Sequence, residues 1–227
     1  MLQNFESIVI LWLLLGFITF ITLLRIPAPY GKFAKNSWGP MIPSKLGWIV
    51  MEIISPIALL YFIIKGNIVQ TPTSIIFISC WVLHYFNRSI IYPLRQNNPA
   101  KMPLLIALLA FLFNIVNGYI NGTYLGSIQE YSIDYMSNWN FILGLCLFIL
   151  GAYINIKSDN ILLSLRSKSG EYKIPEGFMF KYVSFPNYLG EIIEWMAFAL
   201  MTWSLAGLSF MIWTMANLVP RAIKGHH

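Results

Sequence analysis

Charged side chains are scarce in this sequence, and their scarcity excludes a soluble globular domain. Only 11% of the 227 residues are charged, whereas 57% are hydrophobic, and the mean hydropathy is +0.65. Soluble domains carry about 25% charged residues, so this composition indicates a membrane protein. The net charge of +6 is not gathered in a soluble basic domain, and we therefore expect no nucleic acid partner.

Cysteine and histidine are too few and too widely spaced to form a metal centre. Cys80 and Cys146 both lie inside apolar runs, without the spacing of a disulfide framework or a metal site. His84 has no second histidine or cysteine at ligand spacing. We expect the cysteines and His84 to be packing residues, and no metal to be bound.

The common nucleotide-binding motifs are missing as well. No Gly-x-Gly-x-x-Gly follows a predicted strand, and no Gly-Lys-Ser/Thr of a P-loop is present, which excludes a Rossmann domain. Any nucleotide must then be held by the helices themselves. Residues 1–24 have no Lys or Arg before their apolar run and no small-residue cleavage site after it, so we expect this segment to stay as a span rather than to be removed as a signal peptide.

Long apolar runs are what the sequence has in abundance. Runs long enough to cross a hydrocarbon core of about 30 Å begin near residues 6, 47, 73, 102, 139, 187 and 207, which predicts an all-α bundle of seven transmembrane helices. The last two runs are continuous, and we divide them at 204–207, where Gly207 is expected to supply the turn.

The distribution of basic residues predicts the orientation of this bundle. Every Lys and Arg except Lys65 falls in the odd-numbered connections or at the C-terminus. Because basic loops stay in the cytoplasm, the C-terminus is expected to be cytoplasmic and the N-terminus outside.

Polar side chains inside the predicted spans are costly there and are candidates for function. Glu52 lies one turn before Pro56 in the second span; it is either a buried structural acid or a group kept neutral so that it can donate a hydrogen bond. In the third span, Tyr85, Arg88 and Tyr92 share a helical face. A tyrosine beside a cation can donate a proton to a carbonyl oxygen, which favours a functional role for Tyr85 and an interfacial one for Tyr92.

Two asparagines in the fourth span suggest packing rather than chemistry. Asn114 and Asn117 share a face, and we interpret them as hydrogen-bonding groups between helices.

A polar pair ends the fifth span just before a basic loop. Asn155 and Asp159 lie on one helical face, and Arg166 and Lys173 follow. The pair is either a solvated helix end or a site that bonds the hydroxyl and amide groups of a dinucleotide while the cations hold its phosphate.

A second polar stripe opens the sixth span. Pro186 lets a helix begin, and Asn187, Glu191 and Glu194 then fall on one of its faces. Either these groups have polar partners, or the helix end lies in the headgroup region with its acids in water.

These motifs occur together in one known family. In chain order they are Tyr30-Gly31-Lys32, Glu52, His84-Tyr85-Phe86-x-Arg88, Asn155-Ile156-x-Ser158-Asp159, Ile174-Pro175-x-Gly177, the helix from Asn187 to Trp195, and Arg221-Ala222. In this order and across nearly the whole chain, they resemble the steroid 5α-reductase family. Those membrane enzymes reduce an activated carbon-carbon double bond with NADPH.

The resemblance implies a fold, a cofactor and a set of site residues. It implies one seven-span domain over residues 1–227, in which Glu52 and Tyr85 are catalytic and bind the 3-oxo group of a steroid, with Trp48 also contacting the substrate. The residues expected around NADPH are Asn155, Asp159, Arg166, Tyr172, Asn187, Glu191, Arg221 and His226. The steroid is expected to arrive from the lipid bilayer, and the family's C-terminal tail is expected to continue beyond this chain.

The sequence departs from the family at two places. Met51 stands where some relatives carry Gln, and the segment 95–101 differs from the loop of the mammalian enzymes, so contacts of that loop are not carried over.

Other functions remain open from the sequence. An enoyl-thioester or polyprenol reductase would share the fold, and a membrane methyltransferase of the isoprenylcysteine type shares the Pro-Asn-Tyr-Leu-Gly-Glu helix start. A small transporter or receptor with its intramembrane acids in an ion path is the non-enzymatic alternative. We expect a multi-pass monomer in a bacterial inner membrane or the endoplasmic reticulum membrane.

Overall fold

The structure is a computed structural model that describes residues 2–26, 28–29, 33, 36–96, 100–166 and 174–226. Its α-helices are α1 (Leu2–Arg25), α2 (Ser44–Ile64), α3 (Pro72–Phe86), α4 (Tyr92–Arg95), α5 (Leu104–Thr123), α6 (Trp139–Arg166), α7 (Pro186–Thr202) and α8 (Leu205–His226). Two short strands, β1 (Met41–Pro43) and β2 (Lys101–Pro103), form an antiparallel pair. The π-helical segments are Asn87–Ile91 and Tyr124–Ile128, and the 3-10 turns are Asn36–Trp38, Ile133–Ser137 and Phe178–Lys181.

The predicted helices are confirmed, and each begins within about a turn of its expected position. Among the described residues, five helical stretches are long and apolar enough to cross a membrane: Gln3–Arg25, Ser44–Ile64, Pro72–Arg95, Leu104–Ile128 and Trp139–Leu165. The third combines α3, the π-helical turn and α4. Helix α7 has 17 residues. The count of seven spans and the orientation of the termini stay predictions.

The boundaries of the last helices follow from their local sequence, with one correction. Pro186 is the first residue of α7, as expected for a residue whose φ is already helical and whose missing N–H is not needed there. The prediction that Gly207 supplies the next turn is wrong. Trp203, with φ of 46°, makes the turn, and Gly207 lies inside α8, where a built Cβ would be 2.6 Å from Oγ1 of Thr202.

The chain divides into two compact units. Unit 1 comprises Met1–Val9 and Ala28–Asn138, and unit 2 comprises Ile10–Pro27 and Trp139–His227. Whether the whole chain behaves as one domain, as the resemblance implies, stays a prediction.

In unit 1, α2 packs along α5 and the strand pair lies at the start of both helices. Gly122 allows this close packing, because a Cβ built on it would lie 2.6 Å from the carbonyl oxygen of Leu59. The Met102 side chain from β2 is fully buried beside Met51 in a hydrophobic cluster. Unit 1 therefore holds α2, the helix of Glu52, firmly against α5.

In unit 2, α7 packs between α6 and α8. A Cβ built on Gly190 would lie 2.7 Å from the carbonyl oxygen of Gly151, so the backbones of α6 and α7 touch where these glycines cross. Trp213 of α8 donates its indole N–H to the carbonyl oxygen of Trp12 at 3.0 Å. The polar stripe of α7 is thus brought directly onto α6.

Candidate active site

Tyr85 lies in unit 1 with its ring almost fully buried, at 4% exposure. Helix α3 is fixed at its start by Thr71, whose Oγ1 accepts from the backbone N–H of Ser74, and by Pro72 as first helical residue. The Tyr85 ring packs near Trp81 and edge-on against His84, with ring centroids 5.6 and 5.2 Å away. The His84 ring therefore packs against Tyr85.

The Tyr85 hydroxyl donates a hydrogen bond to Oδ1 of Asn114 at 3.2 Å. Asn114 is 3% exposed, and its Nδ2 donates to the carbonyl oxygen of Met51 at 2.6 Å. Asn114 of α5 thus links α3 to α2, which confirms the predicted helix-to-helix role. Asn117, predicted for the same role, donates to the carbonyl oxygen of Phe113 in its own helix at 2.9 Å.

Glu52 follows Met51 directly and is half-buried. The carbonyl of Met51 accepts from the Asn114 amide, and the same amide accepts from the Tyr85 hydroxyl. The backbone next to Glu52 is therefore connected to Tyr85 through Asn114. Two of the predicted catalytic groups are therefore carried by helices joined through one asparagine.

Trp48, one turn before Glu52, packs its ring beside the guanidinium of Arg88, with 5.3 Å from the Arg88 Cζ to the ring centroid. The Tyr92 ring lies 5.1 Å from the same carbon. Arg88 is only 7% exposed and belongs to the π-helical turn. Tyr92, which the sequence indicates as an interfacial anchor, thus also contacts the buried guanidinium of Arg88. The negative face of an aromatic ring stabilises such a cation.

Unit 2 contains a second buried polar cluster where α6 meets the first turn of α7. Nδ2 of Asn155 donates to the carbonyl oxygen of Asn187 at 2.9 Å, and Nδ2 of Asn187 donates to Oδ1 of Asp159 at 3.1 Å. All three side chains are buried, at 1% exposure for Asn155, 3% for Asp159 and 8% for Asn187. The structure therefore brings together three of the predicted cofactor residues, and Asp159 is not a solvated helix end.

Two atoms of this region have no hydrogen-bond partner within the described part of the chain. They are Oδ1 of Asn187 and Oγ of Ser158, a fully buried serine next to Asp159. Buried polar groups are bonded in the great majority of cases, so such atoms mark a place where a polar ligand fits. Ser158 was not assigned a role from the sequence, although its position three residues after Asn155 places it on the same face of α6.

The acids of the α7 stripe are also drawn into the protein. Glu194 is 2% exposed, and its Cγ lies 3.0 Å from a Cβ built on Gly151. Glu191 is half-buried. The stripe of Asn187, Glu191 and Glu194 therefore does not stand in water as a headgroup-region helix end would.

The remaining described cofactor residues, Arg221 and His226, lie at the end of α8 and contact residues at or just before the start of α7. Nε of Arg221 donates to the Tyr188 hydroxyl at 2.8 Å, and Nδ1 of the exposed His226 is 2.6 Å from Oγ of Ser184. Beside them is a mainly apolar cavity of about 390 Å³, lined in part by Phe185 and Leu189. Neither Tyr188 nor Ser184 was assigned a role from the sequence. The Arg166 side chain, Tyr172 and the Tyr30-Gly31-Lys32 motif lie outside the described residues.

The long apolar helices are those of a multi-pass helical membrane protein. The two buried clusters of polar side chains are candidates for an enzyme site. A family model described as 3-oxo-5-alpha-steroid 4-dehydrogenase matches residues 100–227. The chain is 43% identical to Steroid 5-alpha-reductase DET2 of Solanum lycopersicum over 228 residues, which cover 98% of this chain and 88% of that protein. It is 42% identical to the protein of the same name from Arabidopsis thaliana, over 92% of this chain and 82% of that one.

Mammalian relatives match over a similar length. The chain is 35% identical to 3-oxo-5-alpha-steroid 4-dehydrogenase 1 of Rattus norvegicus, over 94% of this chain and 83% of that protein. The chain therefore belongs to the steroid 5α-reductase family, a family of oxidoreductases, and the resemblance seen in its motifs is confirmed.

Proposed function

We propose that this chain reduces the Δ4 double bond of 3-oxo-Δ4 steroids with NADPH and releases 5α-3-oxosteroids. Family membership supports the steroid substrate and the reaction class. Within the structure, the observation that carries the proposal is the buried Tyr85 hydroxyl, which donates to a carbonyl oxygen, that of the Asn114 side chain. A phenol held in this way is suited to donate to the 3-oxo group of an enone.

The chain's residues have defined tasks in this reaction. When bound, NADPH would supply the hydride that adds to C5 of the enone, and the enolate so formed takes a proton from solvent at C4 to give the saturated ketone. Tyr85 donates to the 3-oxo oxygen, where negative charge grows as the double bond accepts the hydride, and a protonated Glu52 donates to the same oxygen. Donors placed in advance, in an apolar region without water, stabilise such charge more than water does. Trp48 contributes an apolar wall to the steroid site.

The cluster in unit 2 fits a dinucleotide. Oδ1 of Asn187 can accept a hydrogen bond from a ligand, and Oγ of Ser158 can donate or accept one. A ribose hydroxyl and a carboxamide offer both donors and acceptors. Asn155 and Asp159 hold Asn187 in place from α6. Arg221, with Arg166 and Tyr172 from the basic loop, is expected to meet the phosphates, and Glu191 and His226 complete the site.

We also propose that α7 and α8 complete a seven-span bundle with the N-terminus outside and the C-terminus in the cytoplasm. Seventeen helical residues measure about 25 Å, which is near the lower limit for a span. Lys65, in the connection between α2 and α3, would then lie opposite Lys181. Single cysteines placed at these two positions should react with an impermeant thiol reagent from opposite sides of sealed vesicles, in a background without Cys80 and Cys146.

We place the chain in a bacterial inner membrane or the endoplasmic reticulum membrane, as a monomer that takes its steroid from the bilayer. The helices that are long and apolar enough to span a membrane support a membrane location.

The test is an assay on membranes that contain the chain. Given NADPH and progesterone or testosterone, these membranes should consume both and form the 5α product, with hydrogen transferred from labelled NADPH to C5. A long-chain enoyl thioester in a parallel reaction tests the nearest rival. Reduction of the thioester without any reduction of the steroid would contradict the proposed substrate class, and a lack of NADPH consumption with either would contradict the reductase function.

A further inference from the structure

Asn114 connects the Tyr85 hydroxyl of α3 to the backbone of α2. Its Oδ1 accepts from the phenol at 3.2 Å and its Nδ2 donates to the carbonyl oxygen of Met51 at 2.6 Å. We propose that Asn114 is a competing acceptor, whose amide oxygen holds the hydrogen of the Tyr85 hydroxyl until the substrate's carbonyl oxygen displaces it. This inference rests on the proposed function, because it concerns how Tyr85 is kept ready for an enone.

The orientation of the Asn114 amide follows from its contacts. A carboxamide has one donor end and one acceptor end, and the short bond to Met51 fixes which end is which. Oδ1 must then face Tyr85, whose hydroxyl has a single hydrogen to give. Asn114 is only 3% exposed, so water does not readily replace either partner.

The bond between Tyr85 and Asn114 is long for its type. O–H···O bonds have a most common length of about 2.7–2.8 Å, and this one measures 3.2 Å. The phenol is therefore held in a defined direction, by a bond longer than the most common length. A ligand oxygen that is a better acceptor will take the hydrogen.

This arrangement weakens the binding of the ketone and leaves the advantage of the Tyr85 bond in the chemical step unchanged. A neutral ketone oxygen and a neutral amide oxygen are comparable acceptors, so the ketone gains little when it displaces Asn114. An enolate oxygen carries charge, and charged acceptors form bonds roughly twice as strong as neutral ones. The Tyr85 bond is then worth most as the charge develops, and an interaction that is stronger in the transition state than in the ground state is what accelerates the reaction.

Removal of the amide oxygen should therefore tighten steroid binding rather than slow turnover. In Asn114→Leu, which keeps the side-chain volume and removes the acceptor, the steroid no longer competes for the phenol hydrogen. The steroid then no longer has to displace the neutral hydrogen bond between the Tyr85 hydroxyl and Asn114. The KM and Kd for the steroid should therefore fall by roughly three- to tenfold, with kcat within about twofold of wild type. Asn114→Ala is a second variant in case leucine is not tolerated.

The chain offers a matched control and a second background. Asn121 is on the same helix, is 2% exposed and donates at 3.2 Å to the carbonyl oxygen of Asn117 within α5. Asn121→Leu is the same chemical change and should leave KM, Kd and kcat unaltered. In a Tyr85→Phe background, Asn114→Leu should have no effect on steroid Kd, because the hydroxyl through which it acts is gone.

The possible results separate this inference from the proposed function. A fall in kcat at constant KM in Asn114→Leu, or an equal change in Kd with and without the Tyr85 hydroxyl, would overturn the inference while leaving the reductase function intact. If wild type reduces no 3-oxo-Δ4 steroid, or if Tyr85→Phe alone changes neither kcat nor Kd, the proposed function or its Tyr85 step fails first and the inference falls with it.

Discussion

The side-chain amide of Asn187 donates to Oδ1 of Asp159 at 3.1 Å, and this bond joins the first turn of α7 to the last part of α6. Asp159 is 3% exposed and Asn187 is 8% exposed. Asp159 thereby fixes the Asn187 amide with its oxygen directed elsewhere, and that oxygen has no hydrogen-bond partner within the described residues. The acid of α6 orients a group of α7 that is proposed to contact the nucleotide.

Asp159→Ala should weaken NADPH binding. Without Asp159 the Asn187 amide is no longer fixed, and loss of one oriented hydrogen bond to NADPH, at about 0.5–1.5 kcal/mol, should raise the Kd for NADPH by roughly two- to tenfold. The increase in nicotinamide fluorescence on titration measures this Kd without turnover. Asn160→Ala, at the next and exposed position, is the control and should leave the Kd near wild type. An unchanged Kd in Asp159→Ala would remove this cluster from the nucleotide site.

Tyr85→Phe should lower turnover by roughly 10²-fold or more, because the variant lacks a donor to the charge that develops on the 3-oxo oxygen. The ring stays packed against Trp81 and His84, so the fold should be little affected. Tyr61→Phe, at a 54% exposed tyrosine of α2, is the matched control. Single-turnover reduction of progesterone in membranes measures the chemical step, and near-normal rates in Tyr85→Phe would exclude the phenol from it.

Glu52→Gln and Glu52→Ala should differ if Glu52 acts in its protonated form. Glutamine has an N–H that can replace the O–H donor, so we expect it to keep several-fold more turnover than alanine. The comparison requires kcat for both variants at saturating steroid and NADPH, with protein amount fixed by immunoblot. Equal losses in both would indicate that an ionised carboxylate is needed instead.

What could be predicted from the sequence was mostly local. Asn155 and Asp159 are four residues apart, so helical geometry alone places them on one face, and the structure shows both bonded to Asn187. The start of α7 at Pro186 was predictable for the same reason, since proline acts on its own turn.

Contacts between distant segments could not be predicted in this way. The bond from Tyr85 to Asn114 depends on how α3 and α5 are set against each other, and neither helix encodes that register alone. The π-helical turn at Asn87–Ile91 was also not predictable, because an inserted residue shifts the helical faces that a regular period assumes. The turn at Trp203 was missed for a further reason, since a non-glycine residue with positive φ breaks the usual preference for glycine.

Gly190→Ala should destabilise unit 2. A built Cβ would lie 2.5 Å from the backbone nitrogen of Asn155 and 2.7 Å from the carbonyl oxygen of Gly151, and neither backbone atom can move without separating α6 from α7. Overpacking of this kind costs about 1–3 kcal/mol, although alanine favours helix formation in itself. We expect a clearly lower Tm in detergent and weaker NADPH binding. Gly16→Ala, where the nearest atoms at 3.1 Å belong to the Trp213 side chain, should have the smaller effect.

Tyr131 gives a prediction about alkaline pH outside the proposed spans. Burial is the main cause that raises the pKa of Tyr131 above its ordinary value of 10.0, and the neighbouring Tyr124 is the second. The backbone at Tyr131 is held by Thr71, which donates to the Tyr131 carbonyl oxygen at 2.7 Å. Because the folded state keeps this proton and the unfolded state loses it near pH 10, the free energy of unfolding should fall as the pH rises above about 10. Tyr131→Phe should lessen that loss, as measured by Tm between pH 8 and 11. The substitution also removes the contacts of the hydroxyl, so it should lower Tm somewhat at every pH. Tyr182→Phe, at an 80% exposed tyrosine, is the control, and an equal slope of Tm against pH in Tyr131→Phe and wild type would contradict the raised pKa.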